Sequence, residues 1–243
     1  MSERAAGEGR IALIDALRGL SIILMVAYHF GYDLVIFLGL PRTLVFNPLL
    51  GALQPIFAGV FILISGVSCN FSRSNIKRSL MLIAFALGLT ALTLFAQHLL
   101  TESGSKSRVA VIFGILHFLG CASVLYGLGR KYIDRIPARA LLFGALFIGG
   151  YLIFPIHADI PYLWWAGIIP PGFTSSDYFP LLPWIFLFFL GTWLGGVIKA
   201  GRFPGWFYSL RIPVLPTVGR YTLVIYLAHQ PLLLGVIFLL SLI

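Results

Sequence analysis

Charge is what this 243-residue chain has least of: only 10% of its residues are Asp, Glu, Lys or Arg, against about a quarter in a soluble domain. So little charge cannot cover a water-facing surface, so most of the chain must be solvated by lipid. Acidic residues are scarcest, 8 against 17 Lys and Arg. Cysteine is nearly absent. Cys69 and Cys121 fall at the end of the second hydrophobic run and inside the fourth, which argues against a structural disulfide. No His, Cys and carboxylate set has the spacing of a metal centre, so no metal is expected. There is no G-x-G-x-x-G, no low-complexity tract and no internal repeat. The first hydrophobic run is interrupted by Arg18 and His29, and no small-residue cleavage site follows it. A cleavable leader is therefore not expected.

What the chain does have is hydrophobicity, with 59% apolar residues and a mean hydropathy of +0.98. Apolar runs of about 20 residues, the length of a membrane-spanning helix, recur along it. They predict spans over 12–37, 49–68, 79–99, 109–128, 138–156, 181–199 and 221–242. The expected architecture is an all-α integral membrane protein of about seven transmembrane helices. It forms a single domain over 1–243, because no connection is long enough to fold separately. Lys and Arg before the first span and in every second connection number fourteen, and the remaining connections hold only Arg42, Lys106 and Arg108. Positive charge collects on the cytoplasmic side, so the N-terminus is expected inside and the C-terminus outside. The net charge of +9 then reflects topology and anionic lipid. Nucleic acid is not an expected partner, since the basic residues are scattered over short loops.

With that orientation, all five histidines fall in the central or outer part of the membrane, and His29, His117 and His229 fall within spans. Ionisable groups at that depth are costly and usually face a bundle interior or a wet cavity. A shared cavity is the favoured reading for these three, whereas His98 and His157, at span ends, read as ordinary interfacial hydrogen-bonding groups. On the first span Arg18 and His29 are eleven residues apart, nearly eclipsed and separated by roughly 16 Å along the axis. Asp15 precedes Arg18 by three residues and Asp33 follows His29 by four, so one helix face carries an Asp/Arg pair and a His/Asp pair. Asp33 is expected to orient His29 and raise its basicity. The alternative for Asp15 and Arg18 is a membrane-end anchor.

In the last span Pro231 removes the partner of the Leu227 carbonyl, clustering His229, Gln230 and a freed carbonyl near mid-membrane. This suits a ligand cavity or, equally, a simple proline kink. Gly191-x-x-x-Gly195 permits close helix contact; packing within the chain is favoured over a homodimer interface. The connection 157–182, HADIPYLWWAGIIPPGFTSSDYFPLL, lacks Lys and Arg but carries Asp159, Asp177, Tyr162, Trp164, Trp165 and Tyr178. Its tryptophans read as an interfacial belt. A sharper alternative is a partly re-entrant lid whose aromatics stack on a sugar, with Asp177 bonding to hydroxyls.

RGLSIILMVAYH, an Arg, ten residues and a His, resembles the R-x10-H signature of type-3 membrane acyltransferases. DALRGLSIILMVAYHFGYDL, FGILHFLG, DYFPLLPWIFLFFLG and GRYTLVIYLAHQPLLLG together resemble, in order, compact bacterial members of the heparan-alpha-glucosaminide N-acetyltransferase catalytic-domain family. The resemblance covers essentially the whole chain. It implies an enzyme of the bacterial cytoplasmic (inner) membrane that takes an acetyl group from cytoplasmic acetyl-CoA and delivers it to a sugar or envelope glycan outside. It also implies that His29 is the catalytic histidine and Arg18 a CoA-side residue. Within that frame Arg73, Lys77 and Arg78, with Arg18 and Asp15, are candidates for the acyl-CoA head group. A neutral pantetheine arm is long enough to join Arg18 to His29. His117, His229 and Gln230 are cavity candidates able to stabilise an oxyanion. The alternative is a proton-coupled transporter or exporter, although seven short-looped spans make poor symmetric halves. A purely structural membrane subunit leaves the His/Asp and His/Gln groups unexplained.

Overall fold

The computed structural model describes residues 11–102, 108–240 and 242. Arg4, Arg10 and Lys106, which enter the charge count, lie outside the described residues. The described chain is mostly helical and packs as two compact units, residues 11–64 with 197–240 and 242, and residues 65–102 with 108–196.

The first unit is organised on α1 (Ala12–Leu38). Its 27 residues contain no proline, and Gly39 ends it in the left-handed region at φ 70°, returning its N–H to the Leu34 carbonyl. α2 (Pro48–Ser68) begins in this unit. The short helices α7 (Gly205–Ser209) and α8 (Leu215–Arg220) lead into α9 (Thr222–Leu240). α1 packs chiefly on α8 and then on α9. The α1–α8 contact is one of backbone on backbone. A Cβ on Gly19 would stand 2.2 Å from the Leu215 carbonyl oxygen, and one on Gly219 would stand 1.8 Å from that of Asp15. Only glycine allows this approach, which brings Arg220 to Asp15, Nε to Oδ2, at 4.0 Å. Large side chains of α9 such as Leu232 and Phe238 are exposed, as suits a helix facing lipid.

The second unit holds the last turn of α2, then α3 (Asn75–Glu102), α4 (Ile115–Ile133), α5 (Arg139–Ile153) and most of α6 (Leu181–Lys199). The Gly191/Gly195 stripe of α6 is used within the chain. A Cβ on Gly66 would lie 2.1 Å from the Phe188 carbonyl oxygen, and one on Gly195 would lie 2.6 Å from that of Val67. Asn70 closes the same contact by donating to the Thr192 carbonyl at 2.7 Å. α3 and α4 form a second close pair. At the α4–α5 turn Asp134 accepts from Tyr126, Arg130 and Arg139. Between α5 and α6, β1 (Ile156–His157) and β2 (Ile168–Ile169) pair in parallel.

The seven expected spans correspond to α1–α6 and α9. Five of these, α1, α2, α3, α6 and α9, are long and apolar enough to cross a membrane. α4 carries His117, Arg130 and Lys131 and buries much of its length, so it need not present a uniformly oily surface. α5 has 15 residues, about 22 Å of helix against a hydrocarbon core of about 30 Å. The fourth helix also starts at Ile115 rather than 109, because 109–114 runs extended beside 174–179. α7 and α8 lie where the sequence reads as loop.

Candidate functional site

The polar stripe of α1 meets α9 at its far end. The His29 and His229 rings lie 5.2 Å apart between centroids. One residue further along α9, Gln230 Nε2 donates to Asp33 Oδ2 at 2.9 Å. Asp33 is only 2% exposed and His229 9%. A carboxylate taken out of water is costly unless hydrogen-bonded, and Gln230 supplies that bond. The expected Asp33–His29 hydrogen bond is absent among the described residues; the carboxylate faces Gln230 instead. The reason is tertiary: α9 brings an amide donor to a carboxylate that α1 alone places merely on the same face as His29. His229 Nδ1 contacts the Tyr226 carbonyl. A carbonyl only accepts, so Nδ1 is the donor in this contact. Among the described residues the buried Gln230 carbonyl oxygen has no hydrogen-bond partner.

At the start of α1, Arg18 Nη1 donates to Asp15 Oδ1 at 3.0 Å, and Arg220 approaches the other carboxylate oxygen. Two guanidiniums thus stand at one carboxylate. In the sequence Arg220 stands out only as one of the fourteen cations of the cytoplasmic set. Its place beside Asp15 depends on α8, which carries no strong sequence signal.

His117, Asp177, Arg73, Lys77 and Arg78 belong to the second unit. The His117 ring is accounted for there. Gly114 N–H donates to Nδ1 at 3.3 Å, so neutral His117 carries its proton on Nε2 and donates it to Thr90 Oγ1 at 3.1 Å. The Thr90 hydroxyl passes its own proton to the Val111 carbonyl at 2.8 Å. Both ring nitrogens are thus engaged in fastening the start of α4 to α3. Asp177 does related work, its Oδ2 accepting from Ile115 N–H at 2.9 Å in the first turn of α4, a stabilising place for a carboxylate. Arg73 and Lys77 are exposed and Arg78 half-buried, in and just after the α2–α3 connection. Among the described residues no group of three His, Cys or carboxylates is placed to hold a metal.

His117→Ala should lower the thermal midpoint by several degrees, since it strands the buried Gly114 N–H, at about 1–3 kcal/mol for a group left unsatisfied, and removes the bond to Thr90 that joins α4 to α3. Activity per folded molecule should fall much less than in a His29 variant. Thermal unfolding in detergent beside the initial rate checks this, and an undiminished midpoint would contradict the fastening role.

Helices apolar enough to span a bilayer, with imidazoles, a carboxylate and an amide gathered inside one helix pair, define a helical integral membrane protein with an internal polar centre. The sequence pattern described as heparan-alpha-glucosaminide N-acetyltransferase, catalytic, matches residues 10–231, nearly the whole chain. The chain belongs to this family. Membership carries transferase activity of the membrane acetyltransferase kind and lends nothing to the transport alternative. No curated protein and no solved structure matches the chain.

Proposed function

We propose that this protein is a transmembrane acyltransferase of the bacterial cytoplasmic membrane. It moves an acetyl or other acyl group from cytoplasmic acyl-CoA to a hydroxyl or amine of a sugar or envelope glycan on the outer side. The observation that carries this reading is the meeting of His29 with His229, beside Asp33–Gln230, inside the helices of a membrane acetyltransferase family member. The charge bias of the connections supports a cytoplasmic N-terminus, which puts the start of α1 on the donor side.

There Arg18 and Arg220, gathered at Asp15 by α1 and α8, offer guanidinium donors suited to the phosphates of a CoA head group. Arg73, Lys77 and Arg78 are further cations assigned to that task. His29 lies roughly 16 Å beyond Arg18 along the helix, a span that a slender, neutral pantetheine arm can cover. His29 acts as general base. The acceptor gives up its proton to the imidazole as its oxygen or nitrogen attacks the thioester carbonyl, and the CoA sulfur leaves and takes up a proton. In a covalent variant the imidazole attacks first and holds the acyl group. His229 sets a second imidazole against the first ring, and Gln230 holds Asp33 in place.

Incubating the purified protein with labelled acetyl-CoA tests the reading. Hydrolysis, transfer or a covalent adduct that depends on His29 supports it, and complete inertness toward acetyl-CoA overturns it. Arg18→Ala should weaken CoA binding by about tenfold, the loss of one charge-assisted contact. Equilibrium binding checks this, and an unchanged affinity removes Arg18 from the donor site.

A further inference from the structure

The connection from α6 to α8 carries cations and no carboxylate. From Tyr178 to Ile243 the sequence has no Asp or Glu, whereas Lys199, Arg202 and Arg211 stand at the end of α6 and along the connection. All three are exposed, and among the described residues Arg202 and Arg211 enter no ion pair. Between them Trp206 is 60% exposed, and Leu210 and Val214 are exposed further along.

A fixed frame displays these side chains. The Tyr208 hydroxyl accepts from the Phe203 N–H at 3.3 Å and donates to the Ile198 carbonyl at 2.8 Å, which ties the connection back to the end of α6. Phe207 is buried, its ring centroid 4.6 Å from that of Phe203, and α7 rests on α1. At the junction with α8, Val214 has φ 62°. A β-branched residue keeps that left-handed conformation only where its surroundings over-determine it.

Neither water nor hydrocarbon suits such a surface. Water leaves the indole and its apolar neighbours unburied, and the hydrocarbon core leaves the guanidiniums unsolvated. The headgroup layer takes both, since tryptophan settles at its depth and anionic headgroups attract clustered cations beside it. A soluble anion would engage the arginines but leave Trp206, Leu210 and Val214 uncovered. We infer that residues 199–214 form a docking surface for anionic phospholipid, with Arg202 and Arg211 at the headgroup phosphates and Trp206 at headgroup level. The inference goes beyond acyl transfer and shares with that reading only the cytoplasmic placement of this connection.

The test is competition of phosphatidylglycerol with phosphatidylcholine for the purified full chain in detergent, read by native mass spectrometry of the retained lipid. The protein should retain phosphatidylglycerol in preference. Arg202→Gln and Arg211→Gln should each lower that preference about fivefold, and together about thirtyfold, the attraction of one surface cation apiece. Both positions are exposed, so the variants should fold normally. Trp206→Ala should lower retention of both lipids alike. Lys131→Gln with Arg135→Gln removes as much charge from exposed positions at the α4–α5 turn and should leave the preference nearly unchanged. An equal loss from that pair, or an undiminished preference in the Arg202/Arg211 double variant, overturns the docking surface. Neither acetyl-CoA nor membrane orientation enters the measurement. The expected pattern in a protein inert to acetyl-CoA would reject the acyltransferase reading and leave the docking surface standing. Acyl transfer without the pattern would do the reverse.

Discussion

His29→Ala should abolish measurable acyl transfer, a loss of about a thousandfold on the scale of general acid–base catalysis, in a protein that still inserts and purifies normally. The ring is a safe one to remove. Among the described residues it makes ring contacts with Tyr28 and His229 and no hydrogen bond, so its loss strands no buried donor or acceptor. The experiment is an initial rate with labelled acetyl-CoA beside size-exclusion and thermal profiles of the same preparation. Mass spectrometry of a quenched reaction separates the two chemical routes. An acyl adduct on His29 marks the covalent path, whereas turnover with no adduct marks direct transfer with His29 as base. Full activity in the variant would sink the mechanism. His229→Ala should give a smaller loss if the second imidazole assists without taking the acceptor proton.

The second large effect is structural. Gly219→Ala should destabilise the first unit by about 3 kcal/mol, the upper part of the range for overpacking. The new methyl would stand 1.8 Å from the Asp15 carbonyl oxygen and 2.7 Å from its carbonyl carbon. These are backbone atoms inside α1, so no side chain can swing aside to relieve the clash. Gly19→Ala meets the same obstacle from the other side, 2.2 Å from the Leu215 carbonyl oxygen. Gly51→Ala, with nothing within 4 Å, is the matched control within the same unit and should be nearly neutral. A thermal midpoint for Gly219→Ala equal to that control would contradict the close α1–α8 contact. Because α8 also carries Arg220 to Asp15, the variant should weaken CoA binding even in molecules that remain folded.

Much of the fold was legible because lipid-spanning helices write their length directly into composition. The boundaries of α1, α2 and α6 agree with the expected spans to within a residue. The lapses have one cause, namely segments whose structure depends on a partner distant in the chain. Residues 109–114 are apolar enough to continue a helix, but pairing with 174–179 keeps them extended. α8 has six residues including a proline and a glycine, and its helicity is supported by packing on Gly19 rather than by propensity.

The candidate site divides in the same way. His29 and Asp33 stand out in the sequence because ionisable groups are rare at that depth, and so does His229–Gln230 beside Pro231. His117 stands out for the same reason, yet its two nitrogens serve Gly114 and Thr90. An intramembrane histidine that fastens a helix and one that does chemistry look identical as letters.

The sequence by itself determined that the chain is a helical membrane protein, which of its segments are apolar enough to be spans, which family it belongs to, and that one face of α1 carries both an Asp/Arg and a His/Asp pair. These follow from composition and from a helical period of about 3.6 residues, both local properties. Only the tertiary structure decided the partners: Gln230 rather than His29 for Asp33, Arg220 as well as Arg18 for Asp15, and Thr90 for His117. Hydrogen bonds and ion pairs join groups up to 205 positions apart, as in Asp15 and Arg220, and that proximity is set by how closely two backbones can approach, which here depends on a glycine on each helix.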